Sequence, residues 1–136
     1  MSVVKSKRGE SVVEFINTAR ELCIYSIQRC VSFPKRYTFY ISQEIAQHAN
    51  NIYSDVIAAN EIKPTNKHEA QMRIDHFLNA YAECEIMISK IALAHDMFGI
   101  QESTMTEWMR LLNKEQRLLS GVKKSDRKNY KDLPDA

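Results

Sequence analysis

The sequence predicts an all-α protein, an up-down-up-down four-helix bundle. Three observations carry that expectation. Gly9, Gly99 and Gly121, with Pro34, Pro64 and Pro134, fall between periodic segments, so turns are few and elements long. Apolar residues recur at alternating steps of three and four along most of the chain. No segment of any length alternates with the period of two that a half-buried strand needs. The 136 residues suffice for one sizeable core and not for two.

Residues 1–10 lack periodicity and are expected to form a flexible leading segment, with the bundle spanning 11–121. Ser11 is a candidate N-cap, with Glu14 as its capping-box partner three positions on. The first stripe runs Val12, Ile16, Ala19, Cys23, Ile27 and Cys30, and Pro34 ends it. A second runs Ile41, Ile45, Ala49, Ile52, Val56 and Ala59. The third is the longest: Ala70, Ile74, Phe77, Tyr81, Cys84, Ile88, Ile91 and His95, stopped by Gly99. A neighbouring row, Leu78, Ala82, Ile86 and Leu93, is expected to widen its buried face. Ser103 opens a fourth helix that turns Met105, Trp108, Met109, Leu112 and Leu119 inward and stops at Gly121. Residues 122–136 are polar and aperiodic, and a flexible basic tail is expected there.

A formal charge of +2 does not by itself imply nucleic acid, but its distribution is polarised. Residues 1–36 carry seven Lys or Arg against three acids, and 122–136 five against three, whereas 61–96 reverse to four against six. No apolar run long enough to span a membrane occurs, so no membrane contact is expected. Cys23, Cys30 and Cys84 form no Cys-x-x-Cys pair. Cys23 and Cys30 would lie roughly 10 Å apart on one helix, too far for a disulfide. A reducing, cytoplasmic setting is the expectation.

Enzyme chemistry is poorly supplied. Three scattered glycines build no phosphate loop. A di-iron core needs two Glu-x-x-His pairs, whereas Glu44 and His48 are a single pair four apart, so no metal and no cofactor are expected. His95 reads as a core-edge histidine near a helix end, and Cys23 and Cys84 as small hydrophobes. Non-enzymatic binding is what remains.

The binding candidates are cations. Lys35 and Arg36 begin the first turn, with Arg29 upstream, and Arg20 and Arg73 are expected to face away from their apolar stripes. Arg110, Lys114 and Arg117 form a row at helical spacing, continued by Lys123, Lys124, Arg127 and Lys128. Such a row can neutralise phosphates. The bland alternative is a solvated face paired with Glu107 and Glu115. In the turn "FPKRYTFY", Phe33 and Phe39 are expected to plug the bundle end, leaving Tyr37 and Tyr40 for a subunit contact or a stacking surface.

The stretches "FPKRYTFYISQEIAQHANNIYSDVIAAN", "EAQMRIDHFLNAYAECEIMISKIALAHDMFGI" and "WMRLLNKEQRLLSGVKKSDRK" together resemble the Avd family. These small four-helix proteins are the accessory variability determinants of diversity-generating retroelements, related to proteins encoded in 23S ribosomal RNA intervening sequences. The marks are Phe33-Pro34-Lys35 closing the first helix, Phe39 with Gln43 and Ile45 after it, and basic residues beyond Gly121. The resemblance implies a homo-oligomeric ring, a homopentamer. It also implies RNA or DNA binding on a basic surface, and association with a reverse transcriptase during mutagenic retrohoming. The alternative is a bundle of the same family that works purely as a protein-protein interaction module.

Overall fold

The computed structural model describes residues 13–136. The expected Ser11 cap, Val12 and the 1–10 segment lie outside the described residues. Among the described residues four α-helices make up the fold: α1 Glu14–Cys30, α2 Gln43–Glu61, α3 Lys67–Phe98 and α4 Glu102–Asn129. No strand occurs among the described residues. α2 packs between α1 and α3, and α4 packs against the same two helices, so one core is shared by all four.

α2 follows its pattern without exception, burying Ile45, Ala49, Ile52, Val56 and Ala59, and Ile41 is buried just before it. α1 is rotated from the expected stripe. Ser26 is buried and Ile27 exposed, because the buried Trp108 indole N–H donates to Ser26 Oγ at 2.8 Å. A buried indole needs such an acceptor.

α3 begins at a reciprocal cap: Asn66 Oδ1 accepts from the Glu69 amide at 2.8 Å, while Glu69 Oε1 accepts from the Thr65 amide and hydroxyl. Its buried residues are Ala70, Arg73, Ile74, Phe77, Ala80, Cys84, Met87, Ile91 and Ala94. Ala70, Ile74, Phe77, Cys84 and Ile91 are as expected, while Ala80, Met87 and Ala94 take the places expected of Tyr81, Ile88 and His95. Small Ala80 and Ala94 let the neighbouring helices approach, which leaves Tyr81 and Ile88 half-buried and His95 exposed. His95 stays in place by accepting from the Ile100 amide at 2.8 Å. The expected second buried row is not buried: Leu78, Ala82, Ile86 and Leu93 face outward.

Gly99 ends α3 in the left-handed region (φ 75°) that a glycine stop uses. Gly121 does not, so the expected stop there is corrected: α4 runs on to Asn129. An interior glycine costs about 1 kcal/mol. Contacts beyond it offset that cost, since Val122 packs on the core and Asp126 is buried against Arg73. Residues 122–129 are therefore helix, and the Pro134 carbonyl beyond them accepts from the Lys67 amide at 2.8 Å.

Candidate nucleic-acid interface

Because α4 is continuous, the cationic spacing of Arg110, Lys114, Arg117, Lys124 and Lys128 falls on one helical face, with Gly121 in the gap. The row extends about 27 Å at ~1.5 Å per residue. Its first half is partly neutralised. Arg110 makes two bonds to Glu107 Oε1, at 2.8 and 2.5 Å, and Lys114 lies 3.8 Å from Glu14. That pairing holds the Glu107 carboxyl below its usual range. Its second half is open. Arg117, Lys124, Arg127 and Lys128 are exposed and make no ion pair among the described residues. Lys123 sits on the flank, its ammonium 5.0 Å from the centre of the Tyr81 ring.

The other candidates divide. Arg20 is exposed on α1. Lys35 and Arg36 are exposed in the 3-10 turn Lys35–Tyr37, where Arg36 lies over the Tyr37 ring at 5.1 Å. Arg29 is half-buried over Tyr25, also at 5.1 Å. Arg29, Lys35 and Arg36 lie at the end of the bundle where α4 begins, opposite Lys124 and Lys128, and do not extend the α4 row.

Arg73 is a correction. It does not face solvent. Its Nε donates to Asp126 Oδ2 at 2.7 Å and its Nη1 to the Ala59 carbonyl at 3.0 Å, with a weaker bond to Ile62 O at 3.4 Å. A guanidinium buried in the core register must be paired, and these partners take its Nε and Nη1. Arg73 therefore ties the end of α2 to the α4 extension and is not part of the exposed basic face.

The two tyrosines also part company. Tyr37 is half-buried and stacked on Phe98, with ring centres 5.3 Å apart, while Phe33 packs edge-on against the same ring at 5.0 Å. Tyr37, not Phe39, is thus the second plug of this end, and it is not a free contact residue. Phe39 and Tyr40 both point outward. The cause is backbone: Thr38–Ser42 forms a π-helical turn that sends Ile41 and Ser42 inward and turns the two aromatics out.

Glu44 and His48 do not bond each other; Glu44 pairs with Lys90 and His48 with Glu83, both across to α3. Among the described residues, no group of three or more His, Cys, Asp or Glu could hold a metal ion. All three cysteines are buried and free, and burial pushes the Cys30 thiol up to about 12 and Cys84 higher still. A thiolate is strongly disfavoured at each of those two sites.

Glu115 is the residue that the charge pattern misplaces. It was expected on the outer face as a partner for the basic row. Instead it is fully buried, and neither carboxyl oxygen has a hydrogen-bond partner. Burial raises its pKa to about 8, opposed only by Lys114. The signal was present: Trp108, Leu111, Glu115 and Leu119 keep the inward three-four spacing. No helix among the described residues is long and apolar enough to cross a membrane. Comparison with protein-family models, curated proteins and solved structures finds no match to this chain.

Proposed function

We propose that this protein is a non-enzymatic nucleic-acid-binding accessory protein whose contact surface is the cationic face of α4. One observation carries the reading: helix continuity through Gly121 aligns Arg117, Lys124 and Lys128 on a single face, with Arg127 beside them. Cations fixed at helical spacing lose less conformational freedom on meeting a phosphate backbone than cations on a loose tail. Arg20, Lys35 and Arg36 add positive field without joining the row. RNA is the first candidate ligand and DNA the second.

The same reading takes the bundle as up-down-up-down and self-assembling. Exposed Leu78, Ile86, Leu93 and Met97 on α3 supply an apolar surface for a second copy. The Avd resemblance adds the finer expectations: a pentameric ring, a reverse transcriptase partner, a diversity-generating retroelement and a cytoplasmic setting. The test is anisotropy of a labelled structured RNA across a salt series. A log-log slope of about −3 or steeper is expected, and each of Arg117→Ala, Lys124→Ala and Lys128→Ala should reduce it by roughly 0.7–0.9. A flat, weak response that none of the three changes would overturn the reading. The alternative, a protein-interaction bundle with no nucleic-acid role, is favoured by the apolar corner at Val31, Phe39 and Tyr40.

A further inference from the structure

The three most exposed large apolar side chains among the described residues stand at one corner: Phe39 at 80%, Val31 at 75% and Tyr40 at 74%. Val31 lines a groove of about 520 Å³ between the end of α1 and the start of α2, and Phe39 and Tyr40 belong to the turn whose Thr38 and Ser42 line its other wall. Its walls are mainly apolar, from Ile27, Cys30, Val31, Phe33 and Ala46, with Thr38, Ser42 and Gln43 as neutral polar members. Lys35 is the only charged lining residue, and no carboxylate lines the groove. Beneath it the Ser42 hydroxyl is buried without a hydrogen-bond partner, at the end of the π-helical turn. Such turns depart from the regular ladder and recur at functional sites.

We propose that this groove receives the apolar face of an acidic amphipathic helix from a protein partner. The shape fits that occupant. Ile24 and Ile27 on α1 and Val31 just beyond it are all exposed at steps of three and four, a ridge along which a second helix can lie. The charge fits as well. Lys35 lines the groove and Arg36 follows it in the same turn, both with no ion pair among the described residues, and the nearest acid in sequence, Glu44, is taken by Lys90. Carboxylates flanking an apolar stripe would meet these cations, and a cationic helix would be repelled. This surface lies at the other end of the bundle from the open half of the α4 row, so the two binding roles are separable.

The test uses the full chain and a labelled amphipathic peptide of about 18 residues built from Leu and Glu, long enough to hold a helix. Its Leu and Lys counterpart and an oligouridine serve as competitors. Phe39→Ala and Lys35→Glu alter exposed side chains, so helicity by circular dichroism should be unchanged. The Leu/Glu peptide is expected to bind and to weaken at least about tenfold in each variant, while the salt slope for structured RNA persists in Phe39→Ala. Equal binding of both peptides, or of neither, would overturn the proposal. So would displacement by oligouridine, which would make the corner a base-stacking surface. Self-association of the wild-type chain lost in Phe39→Ala would assign the groove to a second copy and overturn it too.

Discussion

The two ends of the bundle are closed by opposite chemistries. At one end Phe33, Tyr37, Phe98 and Trp108 pack ring against ring, with a single buried hydrogen bond from Trp108 to Ser26. At the other, the Arg73 guanidinium holds Asp126 and the last carbonyls of α2, and the chain beyond α4 returns to the α3 N-terminus through Lys67 and Pro134. The aromatic end tolerates imperfect geometry, because dispersion and burial are additive over many contacts. The ionic end does not, because removing one partner strands the other in a dry site. The open half of the cationic face lies beside the ionic end. Its presentation therefore depends on a few directed bonds, while the aromatic end supplies mass.

Loss of either end should be severe, and the difference lies in what is lost with it. Trp108→Ala leaves a cavity at the fully buried centre of the aromatic end and an orphaned Ser26 hydroxyl, a loss of about 3–5 kcal/mol by denaturant titration. Arg73→Met removes the guanidinium and leaves the Asp126 carboxylate and the Ala59 carbonyl unpartnered, at about 3–5 kcal/mol. Arg73→Met should also raise amide exchange over residues 122–129 and weaken RNA binding, although Arg73 touches no ligand. The double change Arg73→Met with Asp126→Leu should recover much of the stability. If exchange rose equally along all four helices in Arg73→Met, the ionic end would not be a separate clamp.

Between the two ends lies Glu115, a fully buried carboxyl with no hydrogen-bond partner on either oxygen. Its folded pKa of about 8 stands above the ordinary 4.5, so the native state holds a proton that the unfolded chain releases. The stabilisation is complete below pH 4.5 and is lost as pH rises towards 8, with a slope of about 1.4 kcal/mol per pH unit. Above 8 both states are ionised and the slope ends. The facing Cys84 thiol stays neutral throughout this window, since its pKa is raised well beyond it. Glu115→Gln keeps the shape and removes the proton. Stability of that variant should lose this slope between pH 5 and 8 and exceed the wild type at pH 8. An identical slope in both proteins would place the titration elsewhere.

What the sequence showed and what it hid follows the same division. Periodicity located all four helices, and for α2 every inward residue, because burial of an apolar stripe is a local pattern. The Phe33 plug was legible from its place before Pro34. Hidden features are those in which a polar residue takes an apolar position because of a distant partner. Ser26 is buried for Trp108, 82 residues away, and Arg73 for Asp126, 53 away. No spacing rule contains those pairs. The outward turn of Phe39 and inward turn of Tyr37 depend on a π-helical turn, which has no marker in "RYTFYIS".

The smallest predicted effect separates the helical extension from a loose tail. Gly121 looks like a stop in the sequence, yet it lies within α4, and a Cβ built there meets nothing within 4 Å. Gly121→Ala should therefore raise stability by about 1 kcal/mol, through helix propensity alone. If the residue ended the helix in a left-handed turn, as Gly99 does at φ 75°, the same change would strain the backbone and lower stability. Gly99→Ala is the matched control and should destabilise. The stabilised extension should also bind structured RNA slightly more tightly, since Lys124 and Lys128 would be ordered before contact. A gain in stability with weaker RNA binding would mean that the cations of α4 work better on a frayed segment than on a helix. That result would detach the ionic clamp from the binding role assigned to it.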